Sequence, residues 1–201
     1  MPLSGPALPI ANYTMVSGTA GRDLITGVGA QMALAGPGDD ILGGQTAPGA
    51  DGVTPLIPWL VGGPDNDRYF ITPGSMAVVS DLAGGRKDIV SLDSFAFDKV
   101  QIRNIDRRHA LISRGATSVL VVDPAGKISK ANTIEKLVFK DRSVSGKQLF
   151  KQAKKADSYW GRSTLAEQVI LGAFPLNAAG VDPALFGGYL TSAAYNDSLV
   201  V

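Results

Sequence analysis

Two periods divide the chain. From Gly18 to Ile71, short apolar groups alternate with turns rich in glycine and aspartate, at a spacing near nine residues: GTAGRDLITG, GVGAQMALA, GPGDDILGG and, after an insert, GGPDNDRYFI. The apolar groups are too short for helices, so they read as brief strands between turns. Strand signals continue at Met76–Ser80 and Asp88–Leu92 on either side of a Gly84-Gly85 turn, then at Lys99–Ile105, His109–Ser113, Ser118–Val122 and Thr133–Lys140, with Asp-Pro-Ala-Gly at 123–126 as a further turn. Residues 1–17 are a proline-punctuated lead-in with an edge strand expected at Ala11–Val16. The insert, residues 45–60, carries Pro48, Pro55 and Pro58 and is expected to hold no regular strand. Its Leu56, Ile57, Trp59 and Leu60 either fold back as a cap or form an exposed partner-binding loop. From Ser145 the period becomes helical: Ser145–Lys155 places Leu149, Phe150 and Ala153 inward, Thr164–Glu167 has capping-box spacing, and Asp182-Pro183 reads as a helix start.

The repeat has a chemistry of its own. Glycine accepts positive φ, which lets turn carbonyls face a common point. An aspartate in the same turn adds a hard anionic oxygen, and calcium takes six to eight such oxygens. Asp23 and Asp40 hold the metal-binding position, with Ile25 and Leu42 two residues on as the inward apolar position. Met32 and Leu34 occupy the same two positions in the intervening repeat. If successive strands alternate sides, Asp23 and Asp40 stack on one edge and the Met32 turn forms the opposite, metal-free edge. If Gln45–Leu60 replaces one repeat, Asp67 returns to the edge of Asp40, which then serves both intervals, with Asp39 and Asp65 as auxiliary or solvated acids. The competing reading is a set of plain Asp-Gly turns that bind nothing.

This spacing resembles the RTX or haemolysin-type calcium-binding nonapeptide, G-G-x-G-x-D-x-U-x with U large and apolar. The resemblance covers about residues 18–140, specific in the repeats and looser after them. It implies a mainly β fold: a short parallel β-roll with calcium-binding turns at 18–93, then β-sandwich-like strands at 94–144. The remaining 145–201 is a helical tail by its own pattern. The implied calcium turns are Gly18, Ala20, Gly21 and Asp23; Gly36, Gly38, Asp39 and Asp40; and Gly62, Pro64, Asp65 and Asp67. Asp81 and Asp88, bracketing the next turn, either hold a further calcium or are ordinary turn residues. The C-terminal Asn196-Asp197-Ser198-Leu199-Val200-Val201, an acid followed by a short apolar end, resembles the signal of type I secretion substrates, which makes that exporter an expected partner.

Composition sharpens the picture. Sixteen aspartates stand against two glutamates, Glu135 and Glu167, which suits turns and tight oxygen cages rather than helices. Residues 1–100 hold ten Asp and five Lys/Arg, a net of −5, whereas 101–201 hold eight acids and fourteen bases, a net of +6. The acidic half is the repeat half. No cysteine is present, so thiolate sites and disulfides are excluded. The first residues lack the basic and apolar regions of a Sec signal, and no apolar run is long enough for a transmembrane helix. His109 is the sole histidine, there is no H-E-x-x-H and no G-x-S-x-G, so neither the protease nor the lipase site of RTX enzymes is expected. Lys140, Arg142, Lys147, Lys151, Lys154 and Lys155 form a basic group, four of them on one face if helical: a solvated face or an anionic docking patch. Near-zero net charge without interleaved aromatics disfavours nucleic acid. The expected function is a secreted, calcium-binding, non-enzymatic structural or interaction protein of an extracellular or surface assembly, with calcium as its ligand and other assembly proteins as partners. The alternative is an accessory or degenerate module of a secreted hydrolase.

Overall fold

The computed structural model describes residues 14–50, 52, 55–81, 85, 87–105, 109–126, 133–152 and 154–155. The fold is mainly β. In chain order the strands are β1 (Thr14–Ser17), β2 (Leu24–Val28), β3 (Gln31–Leu34), β4 (Ile41–Gln45), β5 (Ala47–Pro48), β6 (Pro55–Leu56), β7 (Trp59–Val61), β8 (Arg68–Ile71), β9 (Met76–Ser80) and β10 (Ile89–Leu92). A 3₁₀ turn at Phe97–Lys99 precedes β11 (Gln101–Ile105), β12 (His109–Arg114), β13 (Thr117–Val121), β14 (Lys136–Phe139), β15 (Ser143–Val144), helix α1 (Gly146–Gln152) and β16 (Lys154–Lys155).

Two sheets result, one of eight strands in the order β1-β3-β7-β9-β13-β12-β11-β16 and one of six in the order β15-β14-β10-β8-β4-β2, with the β5–β6 hairpin apart. Leaving that hairpin aside, the chain alternates between the two sheets from β1 to β10, and every pairing among these strands is parallel. Beyond β10 the same two sheets are extended. β11, β12 and β13 form an antiparallel meander, and β13 then lies parallel beside β9. β14 returns to the other sheet, parallel to β10, with β15 antiparallel at its edge. The antiparallel character expected for 94–144 is therefore confined to these hairpins, one of them turned by Gly115 at φ 58°.

The insert differs from expectation. It contains the β5–β6 hairpin and ends in β7, a full member of the eight-stranded sheet. Its prolines lie outside the strands of the two large sheets: Pro48 and Pro55 face each other in the isolated hairpin, and Pro58 precedes β7. Ile57, Trp59 and Leu60 are buried, so they are not an exposed loop. The C-terminal period is shorter than expected, because α1 stops at Gln152 and Lys154–Lys155 pair with β11. Lys154 and Lys155 therefore do not share a helical face with Lys147. Thr14–Val16 of the expected Ala11–Val16 edge strand fall in β1, at the edge of the eight-stranded sheet, while residues 11–13, Gly84, and the features at Thr164–Glu167, Asp182-Pro183 and Asn196–Val201 lie outside the described residues.

The core lies between the sheets. One row crosses the eight-stranded sheet through Val16, Ala33, Leu60, Val79, Val121 and Ala110, facing a row of Ile25, Leu42, Tyr69, Val90 and Leu137 on the other. Ile25 and Leu42 point inward as the repeat pattern requires. In β3 the inward residue is Ala33, while Met32 and Leu34 point to the opposite face, where they are also buried. Met32 is thus a strand residue and not part of a turn. Glycine sets the sheet separation near β4: a Cβ on Gly44 would lie 3.0 Å from Ala77 Cβ and 3.2 Å from Leu60 Cδ1. Its neighbour Gly43 faces outward, and a Cβ there would meet nothing closer than Thr26 Oγ1 at 3.4 Å. Gly44→Ala should accordingly destabilise the protein by about 1–3 kcal/mol through overpacking, whereas Gly43→Ala should change stability by no more than about 0.5 kcal/mol. Urea unfolding of the two variants checks this, and equal effects would contradict the assigned faces.

Candidate metal centre

Each passage from the eight-stranded to the six-stranded sheet occurs at the same edge, and the residue just before each receiving strand is an acid: Asp23, Asp40, Asp67, Asp88 and Glu135. Parallel register stacks them, since Leu24, Ile41, Arg68, Ile89 and Lys136 pair in turn. The result is a ladder of carboxylates. The backbone N–H of Asp23 donates to Asp40 Oδ1 at 2.7 Å, that of Asp40 to Asp67 Oδ1 at 3.0 Å, that of Asp67 to Asp88 Oδ1 at 2.8 Å, and that of Asp88 to Glu135 Oε2 at 3.0 Å. Side rungs come from within the turns. Thr19 N–H and Oγ1 donate to Asp23 Oδ2, Gly63 N–H to Asp67 Oδ2, and Gly85 N–H to Asp88 Oδ2.

The expected stacking of Asp23, Asp40 and Asp67 on one edge is what the strand register produces, with the insert taking the place of one strand on the other side. The turn residues pack too tightly for side chains. A Cβ on Gly18 would strike the Ala35 carbonyl, one on Gly62 would strike Tyr69 Oη and Asp67 Oδ2, and one on Gly38, at φ 135°, would lie 2.6 Å from the Gly21 carbonyl oxygen. Gly36 has φ 93°, and Asp65 takes the equivalent of the Gly38 position at φ 83°, a backbone region aspartate tolerates better than most residues. Asp65, Ala20 and Gly21 are exposed, and Pro64 is half-buried. Asp39 lies outside the ladder, accepting from the backbone and side-chain amides of Asn66 at 3.0 and 2.9 Å, bonds that hold its carboxyl below the usual range.

Depth is reached at the fourth turn. Asp67, Asp81 and Asp88 are all buried and present oxygens within 4.8 Å of one another. Asp81 arrives from the opposite sheet at the end of β9, where the register aligns it with Gly62 before and Asp123 after. It is fully buried, and neither of its oxygens meets a hydrogen-bond donor; Asp40 Oδ2 is likewise buried without a donor. Burial drives the Asp81 carboxyl well above its ordinary range, and the charges of Asp88 and Asp67 push it further. Burial also raises Asp67, to about 8, with Asp88 and Asp40 adding to the shift, and it raises Asp40, Asp88 and Glu135. Tyr69 lines the site, its buried hydroxyl donating to the Ser80 carbonyl at 3.3 Å.

A buried carboxylate without a donor is costly unless it is protonated or meets a cation. The triad could hold a metal ion, and its chemistry restricts the kind. All three donors are carboxylate oxygens, the preference of hard cations. Oxygens bound to one calcium at about 2.3–2.6 Å lie no more than about 5 Å apart, which the triad satisfies. Glu135 escaped the sequence reading, although its signal was present: Glu135-Lys136-Leu137 repeats the acid-x-apolar pattern of Asp23-Leu24-Ile25 and Asp88-Ile89-Val90. No protein-family model matches the chain, and no curated protein matches it either. Among the described residues no helix is long and apolar enough to cross a membrane.

The raised carboxyls fix a sign for pH dependence. Asp67 binds its proton up to about pH 8 when folded, against an ordinary 3.8. The folded state therefore holds more protons than the unfolded state across that window, and metal-free stability must fall as pH rises through it. Melting in the presence of chelator should give a higher Tm at pH 5 than at pH 8. A flat or rising Tm would show that the triad is not buried as described.

Proposed function

We propose that this protein is a calcium-binding protein of the RTX kind, a short parallel β-roll whose stacked turns close around calcium, acting outside the cell as a structural or interaction component. The observation that carries the reading is Asp81: a fully buried carboxylate with no donor to either oxygen, facing Asp67 and Asp88. The carboxylate ladder supports it, because the same acid-bearing turn recurs along one edge at a single register. Calcium is favoured over magnesium by the donor set, which is all protein oxygen and buried, where magnesium tends to keep waters. Extracellular modules bind calcium at roughly 10⁻⁴–10⁻³ M, a range that fits external fluid. In this reading the partners are other proteins of a surface assembly, and export runs through a type I system that recognises the C-terminal residues.

Calcium bound only to the folded state raises stability by mass action. Millimolar calcium should therefore raise the Tm measured in chelator, and magnesium should raise it less. Asp81→Asn should separate the two contributions. At pH 8 in chelator it should melt at or above the parent, because the side chain no longer has to be held protonated among Asp67 and Asp88, while most of the calcium-induced rise is lost. Asp39→Asn, altering an exposed acid outside the triad, should keep the calcium response. No calcium-induced shift in the parent protein would end the proposal.

A further inference from the structure

The two sheets end together at β1 and β2, and both of these strands have a bare edge. β1 stands at the edge of the eight-stranded sheet and β2 at that of the six-stranded one, and no described strand pairs with their outer sides. The ladder bonds assign the free groups. Ile41 N–H donates to the Asp23 carbonyl and Gly29 N–H to that of Gln45, so in β2 the odd-numbered residues bond to β4. The N–H and C=O of Leu24, Thr26 and Val28 therefore point to the free edge, where Gln31 Oε1 caps the Val28 N–H at 2.8 Å. In β1 the bonds from Thr14 N–H to the Ala30 carbonyl and from Gly18 N–H to that of Leu34 leave Met15 and Ser17 pointing outward in the same way. Apolar side chains gather there too. Among the described residues the large hydrophobics most open to water are Met15, Leu24 and Val28, at 45%, 77% and 41%. Edge strands are ordinarily blunted by short length, lysine, proline or a bulge. At the far ends of the two sheets, β15 and β16 have two residues each, and β16 is Lys154–Lys155. β1 and β2 run to four and five residues, TMVS and LITGV, with no charge and no proline.

We propose that this end of the molecule is the interface between two copies of this chain, joined about a two-fold axis with β2 antiparallel to its counterpart. Self-complementarity selects that occupant. An antiparallel pair centred on Thr26 sets Thr26 opposite itself and, twice over, Leu24 opposite Val28 of the second copy, so the exposed apolar side chains cover one another. The outward groups of Leu24, Thr26 and Val28 fall on alternate residues, which is the spacing of the hydrogen-bonded pairs in an antiparallel ladder. β1 brings the exposed Met15 to the same end from the other sheet. The opposite ends carry the blunted β15 and β16, so the contact closes at two copies and does not run on into a fibre. Size sets the strength. A β2 about 17 Å long, in sheets about 10 Å apart, offers with its turns roughly 500 Å² per copy, or roughly 1,000 Å² in all, the lower limit for a specific pair. The dimer is therefore weak and is populated at high chain concentration. The inference is independent of the metal reading, since it uses no acid of the ladder.

Sedimentation equilibrium of the full chain, under conditions where its β circular dichroism is intact, should show a mass that rises from one chain toward two with concentration. Leu24→Lys, at a position 77% exposed, should weaken the dimer about tenfold or more, because the two-fold axis counts each lost pair twice. Thr26→Pro removes an N–H that the β2–β4 ladder does not use, so the single chain should keep its β signal while the dimer is lost. If Thr26→Pro fails to fold, Leu24→Lys decides. The chain has no cysteine, so Thr26→Cys adds a lone thiol. Its α-carbons, about 5.5 Å apart across the axis, suit a disulfide. Mild oxidation should then give a covalent dimer, whereas Thr72→Cys, exposed just beyond β8 in the same sheet, should stay single. A folded parent that remains a single chain up to millimolar concentration overturns the proposal. So do a dimer unmoved by Leu24→Lys, equal cross-linking of the two cysteine variants, and masses that climb beyond two chains. Mass reports on this interface and the Tm shift on calcium, so either reading can fail alone.

Discussion

One hydrogen bond, repeated, organises the edge on which the rest depends: the N–H of each strand-leading acid donates to the carboxylate of the next acid along the stack. The same residues tie the next strand through their carbonyls, as when Ile41 N–H donates to the Asp23 carbonyl and Arg68 N–H to that of Asp40. Each acid therefore fixes strand register twice. The arrangement also sets like charges one strand step apart. At an effective dielectric near 20, two full charges about 4.8 Å apart repel by about 3 kcal/mol, whereas a hydrogen bond to a charged group returns about 1.5–3 kcal/mol. The bonds roughly offset one neighbour but not two, and burial adds to the imbalance at Asp67 and Asp81. Either protons or a cation must make up the difference, which is why the raised carboxyls and the triad are two expressions of one constraint.

The edges differ because their turns do different work. On the acidic edge, Gly18, Gly38 and Gly85 let one turn nest on the next without a Cβ between them. The opposite edge carries no such stack. Gly29, at φ 62°, turns tightly against Ala47 and Leu56 of the hairpin insert, whereas a Cβ on Gly74, at φ 84°, would meet nothing within 4 Å. The insert enters on that side, where the turns meet through threonine hydroxyls: Met76 N–H donates to Thr46 Oγ1 at 2.6 Å and Gly74 N–H to Thr117 Oγ1 at 2.7 Å.

This division explains what could be read from the sequence. Asp23 and Asp40 were legible as one column from local spacing, Asp67 joined them only if the insert 45–60 counted as one repeat, and Ile25 and Leu42 followed from the strand period of two. Asp88 was visible as an acid beside a turn but not as the next rung, because its turn is longer than the repeat. Glu135 was hidden by distance, since its rung spans 47 residues. β7 was missed for a different reason: three prolines marked the insert as irregular, and only the three-dimensional pairing shows that none of them lies in a strand of the two large sheets.

The eight-stranded sheet was hardest to read because both its faces are buried. Alternation identifies a strand only when one face meets water. In Met76–Ser80 and Thr117–Val121 every residue is buried, so the sequence names a strand without naming its inner side. The same ambiguity put Leu34 in the inward position, where Ala33 stands. Small side chains belong inside here: Ala33 and Ala77 allow the sheets to approach across Gly27 and Gly44. The large ones, Met32, Trp59 and Leu120, are sent outward. The two halves of the problem are thus separable. The acidic edge determines how the turns stack and answers to protons and cations, while the apolar rows determine how the layers pack and answer to volume and cover. A cation held by Asp67, Asp81 and Asp88 would tie the end of β9 in one sheet to the starts of β8 and β10 in the other, and that triad is where the edge and the layers meet.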